Sequence, residues 1–155
     1  MFKLFAVLVF VPAIFARTPV RECGGGRPLP IAVFFGSREN PCTAATCEIS
    51  RASGSGITYV DFTPAFNTNT ILPRIRATVF GINFEQQLPA DIAANPCGIL
   101  TTGMCPLSAN VPAAYGLRIP VDPSTPLVST DTEVTLEGDD GQIIFCYRLQ
   151  TRVVA

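Results

Sequence analysis

The sequence contains no histidine, and the chain beyond its N-terminus has no long apolar run and no excess of positive charge. Without histidine the commonest general base is missing and a Ser-His-Asp triad is excluded. Residues 17–155 hold ten basic and twelve acidic side chains, a poor electrostatic match for nucleic acid or an anionic membrane surface. No apolar run after residue 16 is long enough for a transmembrane helix. These absences argue against a triad enzyme, a nucleic-acid-binding protein and a membrane-spanning domain.

The first residues predict a secretory signal peptide. Lys3 supplies a positive charge, the stretch 4–15 is almost wholly apolar, and Ala16 is a small residue suited to cleavage. The apolar stretch is too short to span a membrane. We therefore expect a signal peptide at residues 1–16 and one secreted domain at residues 17–155, a length that supports a single hydrophobic core.

All the cysteines lie after the signal peptide. An even number in a secreted chain predicts disulfides, although the pairing remains open at this point. Metal binding is the alternative, and the oxidising compartment and the lack of histidine weigh against it. Since disulfides consume thiols, no cysteine nucleophile is expected. The six residues are Cys23, Cys42, Cys47, Cys97, Cys105 and Cys146.

The strongest strand signal is a hairpin near the C-terminus. From residue 128 to 137 Val, Thr and Leu alternate with charged or hydroxyl residues, and the sequence Asp139-Asp140-Gly141 is typical of a tight turn. Beyond the turn, alternate positions from Ile143 to Leu149 are apolar. Because side chains in a strand switch faces at every residue, each strand is predicted to have one apolar face.

Shorter strand patterns recur through the rest of the chain. They cover residues 31–35, 48–51, 57–63, 74–82 and 115–121, separated by Pro- and Gly-containing turns. No segment has a sustained apolar period of a helix, and fourteen prolines argue against long helices. The pattern predicts an all-β sandwich.

Carboxylates are the remaining candidates for catalysis. They cluster in and around the C-terminal hairpin, at Asp131, Glu133, Glu137, Asp139 and Asp140. A paired-carboxylate glycosidase is the enzymatic alternative, but these positions are a solvent-facing strand and a turn, where acids serve solubility. We expect no enzymatic activity, no catalytic residue, no metal and no cofactor. The apolar faces fit a packed core or a ligand cavity, and periodicity does not distinguish the two.

The cysteines stand in a recognisable sequence context. The pieces are Glu22-Cys23-Gly24, Pro41-Cys42, Cys47-Glu48-Ile49, Asn95-Pro96-Cys97, Cys105-Pro106-Leu107, Ile119-Pro120-Val121 and Gly138-Asp139-Asp140-Gly141 before Cys146. Together they resemble the lipid-recognition (ML-domain) family, especially its Niemann-Pick type C2 sterol-transfer class. They are also similar to mite group 2 allergens. The resemblance spans nearly all of residues 17–155.

The resemblance implies an immunoglobulin-like β-sandwich of about seven strands with a hydrophobic cavity between the sheets. It also implies the disulfide pairs Cys23–Cys146, Cys42–Cys47 and Cys97–Cys105. A protein of this family is expected to be a monomer in the extracellular space or the lysosomal lumen. Its partners would be a hydrophobic small molecule and a receptor or membrane that it encounters.

The resemblance further implies which side chains line the cavity. Gln86 stands where the family has an entrance phenylalanine, and Thr125 stands where an entrance tyrosine is usual. The mouth is therefore more polar than in a sterol carrier, and a fatty acid or another long-chain lipid fits as well as a sterol. The lining residues expected from the family pattern are Phe84, Leu88, Tyr115, Val121, Val134 and Tyr147.

Three functions are consistent with these features. The first is a secreted carrier of a sterol, fatty acid or similar lipid. The second is an innate-immune module that presents a microbial lipid to a receptor, which would need an exposed basic or apolar rim. Candidate basic residues for that rim are Arg51, Arg74, Arg76 and Arg118. The third is a disulfide-stapled inhibitor or structural protein without a cavity.

Overall fold

The computed structural model describes residues 16–155, so the predicted signal peptide lies outside the described residues except for Ala16. This part of the chain forms two packed sheets with strand orders β1-β3-β7-β6 and β2-β9-β8-β4-β5. The all-β sandwich is confirmed. The strands are β1 (Ala32–Phe35), β2 (Thr46–Ser50), β3 (Ser55–Phe62), β4 (Ile71–Val79), β5 (Ile82–Gln86), β6 (Leu100–Thr102), β7 (Ala113–Pro120), β8 (Ser129–Gly138) and β9 (Ile143–Val154).

The C-terminal hairpin forms as its alternating pattern predicts. β8 and β9 are antiparallel, with Thr130 opposite Thr151 and Val134 opposite Tyr147. Gly141 closes the turn at a φ of +78°, a left-handed conformation that glycine adopts without steric cost. β9 continues to Val154, further than the apolar alternation suggested, because its last residues also pair in parallel with β2.

Short elements fill the connections. One α-helical turn, α1 (Ala90–Ala94), and two 3₁₀ turns, Arg51–Ser53 and Pro96–Ile99, occur in the described residues. α1, the second 3₁₀ turn and β6 lie in a stretch whose sequence suggested only an irregular connection. The strand count therefore rises from about seven to nine in residues 16–155. Among these residues the structure has no apolar helix of membrane-spanning length.

Large aromatic side chains fill one end of the space between the sheets. Phe62 of β3 lies 5.2 Å from Phe145 of β9, measured between ring centroids. Tyr115 of β7 stacks on Phe145 at 5.7 Å, and Tyr147 lies 6.1 Å beyond it. All four are almost fully buried. Each such ring buries a large apolar area, so this end of the sandwich is closed and tightly packed.

Three disulfides secure the fold with the pairing that the family resemblance implies. Cys23–Cys146 joins the N-terminal segment to β9 across 123 residues of sequence, whereas Cys42–Cys47 and Cys97–Cys105 close small local loops. Cys23 and Cys146 also lie within ligand distance of Glu133. Their sulfurs are bonded to each other, so they offer no thiolates for a metal.

Candidate functional site

The two sheets separate at the end opposite the aromatic cluster and leave a cavity of about 410 Å³. Several of the side chains that face this space are short, including Ala77 on β4 and Val153 on β9. The volume lies within the range of about 300–1,000 Å³ typical of ligand pockets. Apolar side chains form most of the wall: Ile49, Ala77, Val79, Phe84, Ile119, Pro120, Val121, Pro126, Val128 and Val153.

The mouth of the cavity is bridged by a polar contact. The side-chain amide of Gln86 on β5 donates a hydrogen bond to the carbonyl oxygen of Pro120 at the end of β7. Thr125 and Asp122 also line the opening. The Ser124 hydroxyl and backbone N–H donate to the Asp122 carboxylate at 2.5 and 2.7 Å and lower its pKa. The mouth therefore carries a negative charge at neutral pH.

Three threonines place hydroxyl groups on the inner wall. Thr130 and Thr132 lie two residues apart on β8 and therefore share a face, and Thr151 is opposite Thr130 on β9. The Oγ1 atom of Thr151 lies 2.5 Å from that of Thr130 and 3.1 Å from that of Thr132. All three are buried and all three line the cavity. We refer to Thr130, Thr132 and Thr151 as the threonine cluster.

The structure brings some of the predicted lining residues to the cavity. Phe84, which is 53% exposed, and Val121, which is buried, both line it. So do Gln86 and Thr125, the two positions that the family pattern placed at the entrance. Ligand contact at Phe84 and Val121 stays a prediction that their location supports.

The other predicted lining residues lie elsewhere. Tyr115, Val134 and Tyr147 are fully buried between the sheets and are not part of the cavity wall. Leu88 follows β5 and lines a surface depression together with Gln87 and other residues. Contact between these four and a ligand remains a prediction that would require the cavity to extend.

Several wall residues were not singled out from the sequence. Ile49, Val79, Ile119, Thr130 and Thr132 sit on predicted strands, whereas Thr151 lies beyond the alternation predicted for residues 143–149. The sequence does not show at which position along each strand the two sheets separate. Alternation identifies the inward face but not the level at which the facing sheets part.

Two tyrosine hydroxyls lie near each other in the closed interior without forming a hydrogen bond of normal geometry. The Tyr147 hydroxyl lies 3.1 Å from the Thr58 hydroxyl, whereas the Tyr115 hydroxyl has no hydrogen-bond partner among the described residues. Burial raises the pKa of Tyr147 to about 12. Burial, and then the neighbouring Tyr147, raise the pKa of Tyr115 well above its usual value. Both phenols therefore stay protonated at neutral pH.

The carboxylates of β8 lie on the outer face of the sheet and are paired with arginines. Asp131 contacts Arg21 at 2.6 Å and also Arg148, Glu133 contacts Arg27 at 3.0 Å, and Glu137 contacts Arg74 at 3.1 Å. The cavity lies on the other face of the same strands. These acids therefore hold the N-terminal segment and β4 against β8, and none of them lines the cavity.

Exposed apolar residues surround the tip of the β4–β5 hairpin, next to the mouth. Phe80 is 89% exposed and Ile82 is 60% exposed. Phe80 has a positive φ of 49°, which a bulky side chain rarely adopts. The hairpin thus presents an apolar tip to solvent beside cavity residues Val79 and Phe84.

Comparisons with known proteins agree with this architecture. The chain is 24% identical to NPC intracellular cholesterol transporter 2 of pig (Sus scrofa) over 133 residues, which cover 86% of this chain and 83% of the pig protein. It superimposes on a crystal structure of a Niemann-Pick type C2 protein from Japanese carpenter ant. That match has a TM-score of 0.71 and 17% identity, and it covers 88% of this chain and 99% of the ant chain.

A weaker structural likeness is to chicken MD-1 in complex with lipid IVa, with a TM-score of 0.45 and 9% identity over 77% of this chain and 87% of that one. The sequence model of the ML domain matches residues 18–153, nearly the whole described range. The family pattern therefore extends from the residues before Cys23 almost to the end of β9. The chain belongs to the ML-domain family.

Proposed function

We propose that the protein carries one hydrophobic ligand, a sterol, a fatty acid or a similar lipid, between its two sheets. The observation that carries this proposal is the cavity of about 410 Å³, which has a largely apolar wall and opens at one end of the sandwich. Burial contributes roughly 0.8 kcal/mol per methylene group, so an acyl chain of about sixteen carbons binds even after the cost of ordering it. The pig relative's name, a cholesterol transporter, supports the same class of ligand.

The proposed function is binding and transfer without catalysis. The described wall has Asp122 as its one carboxylate, and the acids of β8 are paired with arginines on the outer face. The sequence has no histidine to act as a base. A cavity lined by these residues can hold a ligand, but it has no acid–base pair that would convert the ligand chemically.

The proposed compartment is the extracellular space or the lysosomal lumen. Support comes from the signal peptide predicted at residues 1–16 and from three disulfides, which persist in oxidising compartments. Reducing conditions would break the link that Cys23–Cys146 makes between the N-terminal segment and β9.

We further propose that the ligand is exchanged at a membrane surface through the β4–β5 tip. Phe80 and Ile82 are exposed next to the mouth and would enter the interfacial region of a bilayer. The immune-module alternative is less well supported, because two of its candidate arginines are paired: Arg74 with Glu85 and Glu137, and Arg118 with Asp91 at 3.5 Å.

Mass spectrometry of lipid extracted from natively folded, purified protein tests the carrier function. A sterol, fatty acid or other lipid at about one molecule per protein is the expected result. If nothing is extracted and no added lipid is taken up, the carrier proposal is wrong, and a structural or inhibitory role without a bound lipid is favoured. The membrane step is tested by measuring the rate at which the Phe80→Glu variant transfers lipid between vesicles. Val111→Glu is the control, because Val111 is also exposed but is remote in sequence from the hairpin.

A further inference from the structure

The threonine cluster is more polar than a cavity for hydrocarbon requires. Thr130, Thr132 and Thr151 are 9%, 4% and 1% exposed. The neighbouring inward positions of the same strands are apolar, with Val134 on β8 and Val153 on β9. Valine has nearly the shape of threonine and an equal or better tendency to form strands. Burial of a hydroxyl is unfavourable unless it is hydrogen-bonded, so packing alone does not account for three threonines here.

The cluster has hydrogen-bonding capacity to spare. Each hydroxyl has one donor and two acceptor lone pairs. The contacts of Thr151 with Thr130 and Thr132 engage two of the three donors. Thr130 and Thr132 are 3.5 Å apart, at the limit of a hydrogen bond. Among residues 16–155 these hydroxyls have no other partner, so the cluster offers one weakly engaged donor and at least three free lone pairs.

The charges around the cavity favour a neutral ligand group. Asp122 is the one charged side chain among the described lining residues, and it is negative at neutral pH. Arg51 donates to the carbonyl oxygen of Thr125 at 3.3 Å from outside the wall. A carboxylate placed against the threonines would meet few donors and no cation, and an unpaired buried charge is strongly unfavourable. An alcohol donates and accepts one hydrogen bond each, and a carbonyl accepts, so both fit.

We propose that the threonine cluster binds the polar group of a neutral lipid, an alcohol or a ketone, inside the cavity. The inference rests on the proposed carrier function. The hydrocarbon of the ligand contacts the apolar wall, which includes Phe84 and Val121. The cluster thus acts as the specificity-determining element that selects an uncharged oxygen-bearing lipid over the corresponding fatty acid.

Competition binding tests this inference. The protein consisting of residues 17–155 is loaded with the fluorescent probe N-phenyl-1-naphthylamine, which is then displaced at neutral pH by 1-dodecanol, 1-chlorododecane or dodecanoate. These ligands share one chain length and differ in the polar end. Two hydrogen bonds made inside the cavity predict that the wild type prefers the alcohol over the chloride by about tenfold. Dodecanoate should bind more weakly than the alcohol.

The triple variant Thr130→Val, Thr132→Val, Thr151→Val should reduce that preference to about twofold or less while binding the chloride at least as tightly. Thr135→Val is the matched control, because Thr135 is a buried threonine of β8 that contacts Cys146 and does not line the cavity. An unchanged alcohol preference in the triple variant would overturn the inference, as would equal binding of dodecanoate and dodecanol by the wild type. Failure of the wild type to bind the probe and all three ligands would instead contradict the carrier function.

Discussion

Gln86 and Pro120 connect the two sheets across the mouth of the cavity, through a hydrogen bond from the Gln86 side-chain amide to the Pro120 carbonyl oxygen. Gln86 is the last residue of β5, an edge strand that pairs only with β4 in the described sheet. Four of the five β5 residues are exposed. The hydrogen bond therefore holds a weakly buried strand across the path by which a ligand enters.

Gln86→Ala should accelerate ligand exchange. One hydrogen bond contributes about 0.5–1.5 kcal/mol net, which predicts a dissociation rate about two- to tenfold faster, with little change in stability. Stopped-flow displacement of a bound fluorescent lipid measures the rate. Gln87→Ala, at the exposed neighbouring position, is the control and should leave it unchanged. Equal rates in the wild type and the Gln86 variant would show that the bridge does not limit release.

Val121→Arg should abolish lipid binding without unfolding the protein. Val121 is 8% exposed and lines the cavity near its mouth, so an arginine there fills the apolar volume and brings a charge into it. We expect affinity to fall by at least about tenfold in a fluorescent-lipid titration. Leu127→Arg is the control, because Leu127 lies in the same loop but is 54% exposed and outside the wall. If Val121→Arg binds the lipid with unchanged affinity, Val121 does not contact the ligand.

The sequence predicts a strand correctly where apolar and polar residues alternate over many positions. The ten residues of β8 and the turn at Gly141 predict the C-terminal hairpin, and the structure forms it. By contrast, α1 has five residues and β6 has three, too few for any period to emerge. Their formation depends on packing against the sandwich, and β6 also lies inside the loop closed by Cys97–Cys105.

The site was predictable in part, for a physical reason. Strand period assigns Thr132, Val134 and Tyr147 to inward faces, but whether an inward residue meets a cavity or a packed core depends on the volumes of side chains facing it from the other sheet. Tyr147 faces Thr58 and aromatic neighbours in the closed end. Thr132 lies nearer the end where short side chains leave space. Family resemblance supplied Gln86 and Thr125, which no periodicity identifies, and it marked Val121 of the alternating stretch 115–121 as a lining residue.

The Cys23–Cys146 disulfide should stabilise the fold more than the Cys42–Cys47 disulfide. The pairs span 123 and 5 residues of sequence. By the chain-entropy argument the first contributes roughly 4–5 kcal/mol and the second about 2 kcal/mol. Urea denaturation of Cys23→Ser/Cys146→Ser and Cys42→Ser/Cys47→Ser, each lacking both sulfurs of one pair, measures the difference. Equal losses would indicate that loop length does not govern the stabilisation.

Replacing the two buried tyrosines with phenylalanine should have opposite effects on stability. The Tyr115 hydroxyl has no described partner, so Tyr115→Phe removes an unsatisfied buried group and should raise the free energy of unfolding by about 1 kcal/mol. Tyr147→Phe leaves the buried Thr58 hydroxyl unpaired and should lower it by about 1 kcal/mol. Denaturant titration of both variants checks the signs. Destabilisation by Tyr115→Phe would mean that its hydroxyl has a partner after all.

The same tyrosines should make the folded state sensitive to alkali. Burial raises the pKa of Tyr147 to about 12 and raises that of Tyr115 well above its usual value, whereas both phenols ionise near pH 10 in the unfolded chain. The folded state then retains protons that the unfolded state loses. Stability from this source is complete below about pH 10 and is lost as pH rises toward about 12, at up to about 1.4 kcal/mol per pH unit for each tyrosine. Urea denaturation at pH values from about 9 to 11.5 measures the slope. The double variant Tyr115→Phe/Tyr147→Phe should lose it, and an equal slope in the double variant would assign the alkaline sensitivity to other groups.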